Sequence, residues 1–106
     1  MDYTYLQNLA ESVEIPTGGI ISKTVSMDDH MRVIAFGFDT GEELTEHTAS
    51  VPAIIQIVKG EAELTLGEDS FSASAGAWAH MPANLKHGIV AKTPVVMLLI
   101  MAKGRA

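Results

Sequence analysis

Residues 41–60 read GEELTEHTASVPAIIQIVKG. An acidic, polar turn carrying one histidine, His47, runs into the short apolar strand AIIQIV, and Lys59-Gly60 then turns the chain tightly. The next segment, EAELTL, has Ala62, Leu64 and Leu66 on one face and Glu61, Glu63 and Thr65 on the other. That period of two belongs to a half-buried strand. The stretch has the frame of a metal-binding turn between two strands, yet holds a single histidine.

The same short rhythm continues outward in both directions. GIISKTVSM, MRVIAFGFD, SFSAS, WAHM, HGIVA and VVMLLIM are strand-like, and Gly, Pro, Asn and Asp separate them at DDH, DTGEE, GEDS, AGA, Pro82-Ala83-Asn84 and Thr93-Pro94. Val95–Met101 reads as a strand buried on both faces. The acidic run Asp39–Glu46 reads as a solvated turn. Ahead of the strands, Leu6, Leu9 and Val13 recur at helical spacing and predict one short helix around Thr4–Ser12, closed by Pro16, Gly18 and Gly19. Many short strands with frequent breaks predict an all-β sandwich or barrel. The organisation is one domain over 1–106, with residues 1–19 as N-terminal helix and linker and about 20–103 as barrel.

Composition narrows the functions. A chain of 106 residues with 47% hydrophobic content can bury one core, built mainly from aliphatic residues because only 6% are aromatic. A formal charge of −6 opposes phosphate backbones, so a nucleic-acid partner is not expected. VVMLLIM falls far short of the ~20 apolar residues that span a bilayer, and the start MDYTYLQNLAES lacks the basic and apolar regions of a secretion signal. No membrane association and a cytoplasmic location are expected. With no cysteine there is no disulfide, thiolate metal site or cysteine nucleophile. No Gly-x-Ser-x-Gly elbow and no glycine-rich phosphate loop occurs. Low aromatic content and the apolar C-terminal strand predict a homodimer, the commonest small assembly.

Two segments, taken in order, resemble the paired motifs of the cupin superfamily. Gly41, His47 and Gly60 match the first, while Ala49 stands at its second histidine and Ala53 at its glutamate. Gly76, Pro82 and His87 match the second, with Asn84 where glycine is usual and Ala91 where asparagine is. The resemblance spans roughly Arg32 to Met101 and is similar to small single-domain cupins of the conserved-barrel type. It implies a double-stranded β-helix, the jelly-roll barrel, often dimeric. It also implies a pocket holding a divalent transition metal such as Zn, Ni, Mn or Fe. The carry-over gives His47 and His87 as ligands.

A third donor has to come from elsewhere, because such ions take three or more N or O donors at about 2.0–2.2 Å. His80 ranks first, ahead of Gln56 and Glu46. Gln56, Ile55, Ile57 and Trp78 are the candidate pocket wall, with Leu64 and Leu66 adding apolar surface. His30 reads as a solvated loop histidine, and Met97 and Met101 as core fillers. If the chain is an enzyme, the resemblance implies metal-dependent dioxygenase, decarboxylase or isomerase chemistry on a small polar substrate. The alternative is a non-catalytic module that binds a small ligand without metal and acts as a sensor or carrier. Loss of half the expected ligands favours that alternative.

Overall fold

The structure is a computed structural model and describes residues 2–103, so the outermost residues of the expected domain, 1 and 104–106, lie outside it. Among the described residues there are nine strands: β1 (Ile20–Met27), β2 (Met31–Phe38), β3 (Glu43–His47), β4 (Ala53–Lys59), β5 (Glu61–Leu66), β6 (Asp69–Ser74), β7 (Trp78–Met81), β8 (His87–Ala91) and β9 (Val95–Ala102). They form two antiparallel sheets, one in the order β1-β2-β9-β4-β7 and one in the order β3-β8-β5-β6. These sheets face each other as a jelly roll, an all-β architecture as the strand rhythm predicts and of the form that the resemblance implies.

Alternation along each strand fixes what lies between the sheets. Ile34, Phe36 and Phe38 of β2 pair with Leu99, Met97 and Val95 of β9 and turn inward. Ala53, Ile55 and Ile57 do so from β4, and Ala62 and Leu64 from β5, with Ile89 and Ala91 opposite them on β8. The opposite face of β9 is also apolar. Val96 and Leu98 are buried there with Ala35 and Val13, and Leu9, Ile15, Val33, Val58 and Ile100 pack around them. Val95–Met101 is therefore covered on both faces because the N-terminal segment lies across the back of the five-stranded sheet.

That segment is not the helix its spacing predicts. It makes one 3-10 turn, Leu9–Glu11, and is otherwise irregular. About nine residues are too few for a helix to hold itself together in water. Here Val13 and Leu9 find their apolar partners on the sheet without one, while Leu6 stays exposed. The run Asp39–Glu46 is likewise only partly a turn. The chain reverses at Thr40-Gly41, and Glu43–His47 is the edge strand β3.

Several turns have positive φ, and two of them bear on the packing. Gly60, between β4 and β5, has φ +90°, and a Cβ there would drive into the Pro94 carbonyl oxygen. Asn84 has φ +70° in the turn before β8. Asparagine is the non-glycine residue best suited to that region, which explains how it stands where the resemblance expects glycine. The Asn84 N–H also donates to the Ala49 carbonyl at 2.7 Å, tying the turn before β8 to the loop after β3.

Candidate ligand site between the sheets

His47 and His87 come together through strand pairing. They are directly opposed residues of β3 and β8, and their ring centroids lie 4.2 Å apart with the planes tilted by 57°. The pairing depends on a β-bulge. Leu44 opposes Ile89, and the next opposed pair is His47 with His87, so β3 advances three residues while β8 advances two. On a regular strand, a residue three after the inward Leu44 would point out, and Glu46 would point in. The extra residue reverses that parity and aims His47 at the cavity. β8 accommodates the bulge at Gly88. A Cβ there would lie 3.1 Å from the Leu44 carbonyl oxygen and 3.3 Å from the Glu46 nitrogen.

Each ring is oriented by its own backbone. Nδ1 of His47 lies 3.0 Å from the Thr45 carbonyl oxygen, and Nδ1 of His87 lies 3.0 Å from the Leu85 carbonyl oxygen. A carbonyl only accepts, which assigns the proton to Nδ1 in both rings and leaves each Nε2 free. His87 is buried and His47 exposed, so the pair runs from the interior to the mouth.

The pair joins two chambers. The outer one, about 440 Å³, is lined by Ile34, Phe36, the loop Thr48–Val51, Ala53, Leu99 and Met101 in addition to both histidines. That volume is within the range of small-molecule sites. The inner one, about 30 Å³, lies against Leu44, Ile55, Ile89 and Met97 and has room for about one water. Among the described residues neither chamber has an ionisable side chain other than the two imidazoles. The carboxyls held below their ordinary values lie elsewhere. Backbone N–H groups of Gly18 and Thr40 hold down Asp39, and the Ser70 hydroxyl and Lys92 hold down Glu63.

The other expected site residues fall differently. Ile55 lines the inner chamber. Ile57 is fully buried in the core and lines neither chamber. On β7, Met81 opposes the inward Ala53, so His80 opposes Ile54 and Trp78 opposes Gln56 on the back of the five-stranded sheet. His80, Gln56 and Trp78 are thereby separated from the histidine pair by the sheet itself, which corrects their expected places as third ligand and pocket wall. His80 instead shares with His30 and Met31 a groove of about 220 Å³ on that side. Glu46 is exposed beside the bulge.

The two imidazoles alone are an incomplete donor set for a divalent metal. Among the described residues no group of three His, Asp or Glu side chains converges on one point. Ala49 and Ala53, at the positions where the resemblance expects histidine and glutamate, offer methyl groups to the outer chamber. Two imidazoles fall short of the three protein donors that such sites use.

The sequence reading missed Phe36, Leu99, Met101 and the 48–51 loop as lining. Inward alternation on β2 and β9 would have marked the first three. No sequence signal marked the bulge or the role of Gly88.

A protein-family model described as Cupin domain matches residues 34–101. Among solved structures, a conserved protein of unknown function from Streptococcus pyogenes is similar over 100% of this chain and 93% of its own, at 25% identity and TM-score 0.85. A cupin superfamily protein from Desulfitobacterium hafniense is similar over 98% and 95%, at 22% identity and TM-score 0.87. A cupin 2 conserved barrel domain protein from Leptotrichia buccalis is 32% identical over 91% of this chain and 47% of its own, with TM-score 0.80. No curated protein matches the chain significantly.

Proposed function

Because this chain belongs to the cupin domain family, we propose that its barrel is a binding site for a small organic ligand, held between the sheets with its polar end at His47 and His87. The observation that carries this reading is the placement of two imidazoles, each anchored through Nδ1 to a backbone carbonyl, at the junction of two mostly apolar chambers. An apolar wall with a few fixed polar groups is the usual form of a small-molecule site. Thr48 and Ser50 add hydroxyls at the rim. The fold alone selects no reaction, and the donor set favours binding over metal-dependent catalysis.

A thermal-shift screen of small hydroxylated, carboxylated and purely apolar compounds tests it. A ligand at one hundred times its Kd stabilises the fold by about 2.7 kcal/mol. The reading expects such a shift for at least one class, reduced in His47→Ala. No shift for any class, in a protein that folds, would refute it.

A second reading, a divalent ion on the same pair, is favoured by the two free Nε2 atoms alone. Water or the ligand would have to supply at least one further donor. Elemental analysis of the purified protein decides it, with one metal per chain, lost in His47→Ala, as the supporting result.

We also propose that two copies associate. Trp78 is 60% exposed on the back of the five-stranded sheet opposite Gln56, and the part-exposed pair Ile54 and Ile100 lies on the same face, a mixed surface with an exposed aromatic that suits a second chain. Light scattering should then give a mass of two chains at micromolar concentration.

No described helix is long and apolar enough to cross a membrane.

A further inference from the structure

The hydrogen-bonding polarity of the site points to the chemistry of its ligand, an inference that rests on the barrel being a ligand pocket. Both Nδ1 atoms carry their protons because each faces a carbonyl oxygen at 3.0 Å. In the neutral ring the remaining nitrogen, Nε2, is then a bare acceptor. The cavity thus presents two acceptors on rings 4.2 Å apart. Among the described residues no lysine or arginine lines either chamber to receive an anion. A carboxylate entering here would meet lone pairs facing lone pairs. A divalent cation would find two donors, with methyl groups at Ala49 and Ala53 on the same wall. What two acceptors do complement is a donor, and apart from the rim hydroxyls of Thr48 and Ser50 the side chains of the remaining wall are apolar, including Phe36, Leu99 and Met101.

We propose that the His47–His87 pair is an acceptor site for the hydroxyl group of a neutral ligand with an apolar body, of the phenol type, rather than a metal centre or an anion site. The hydroxyl hydrogen is donated to an Nε2, and the ring of the ligand lies in the outer chamber against Phe36 and the sulfur-bearing side chain of Met101, which suit aromatic contact. His87, at the buried end, supplies the desolvated acceptor, whose hydrogen bond is the one that discriminates between ligands.

The test uses the full chain labelled with 15N at histidine and four probes: 4-methylphenol, toluene, benzoate and zinc chloride. The expected result is that 4-methylphenol shifts the Nε2 resonances of His47 and His87 and binds about tenfold tighter than toluene. In His87→Leu, which removes the buried acceptor, the phenol's advantage over toluene should shrink. Equal binding of toluene and 4-methylphenol would overturn the acceptor inference while leaving the pocket in place. Benzoate binding more tightly than the phenol, or zinc binding with one ion per chain and loss in His47→Leu, would overturn it as well. Failure of every organic probe to bind would instead overturn the pocket reading, and this inference with it.

Discussion

Replacing Gly88 by alanine should loosen the bulge that aims His47 and so damage the site without touching either imidazole. The added Cβ would sit 3.1 Å from the Leu44 carbonyl oxygen, 3.3 Å from the Glu46 nitrogen and 3.5 Å from the Thr45 carbonyl carbon. Carbon–oxygen contacts of this kind settle at about 3.3–3.6 Å, so β3 has to retreat by a few tenths of an ångström. All three atoms are backbone, and no rotamer change can relieve the contact. Overpacking costs about 1–3 kcal/mol. The smaller unfolded-state entropy of alanine returns roughly 0.4–1 kcal/mol, and the net loss is about 1–2 kcal/mol. For a domain of this size that lowers Tm by roughly 4–8 °C per kcal/mol. Urea denaturation measures the stability, and titration with a bound small molecule measures the site. Val90→Ala, on the exposed face of the same strand, is the control and should change stability by about 0.5 kcal/mol or less. A Gly88→Ala protein with wild-type stability and wild-type affinity would refute the argument that close approach at Gly88 positions His47.

Ile57 is fully buried, so Ile57→Ala should cost about 2–5 kcal/mol in urea denaturation, with little direct effect on ligand contacts because it lines neither chamber. Gly60→Ala combines a φ of +90° with a clash at the Pro94 carbonyl and should destabilise by more than about 2 kcal/mol, or prevent folding, as read by circular dichroism. Asp39 accepts from the Gly18 and Thr40 N–H groups, which holds its carboxyl below its ordinary value of 3.8. Its stabilising effect is therefore fully present above that value and is lost as the pH falls through the lower folded value. Asp39→Ala should flatten the fall in urea midpoint across that acid range.

The strand rhythm carried most of the fold because β-structure writes its period directly into the sequence. WAHM and HGIVA coincide with β7 and β8, and EAELTL with β5. What the rhythm does not carry is parity across a bulge. His47 faces inward because one extra residue sits between it and Leu44, and nothing in ELTEH distinguishes that from a regular strand. His80 shows the converse. Its strand has only four residues, and which alternate pair faces inward was decided by Met81 packing opposite Ala53, a long-range fact. Gln56 follows simple alternation from Ala53 and lies on the back of the sheet for that reason. The helical spacing of Leu6, Leu9 and Val13 was genuine but unused, since the sheet offered Leu9 and Val13 apolar cover in an irregular conformation.

Two imidazoles, forty positions apart in the chain, share one cavity, and among the described residues no third protein donor converges with them. The most direct test is a ring-to-ring nuclear Overhauser measurement on the histidine side chains. With centroids 4.2 Å apart, the account predicts strong cross-peaks between the ring protons of His47 and His87, and none from either to His80. Absence of the His47–His87 cross-peaks in the folded protein, or their appearance between His80 and either ring, would contradict it.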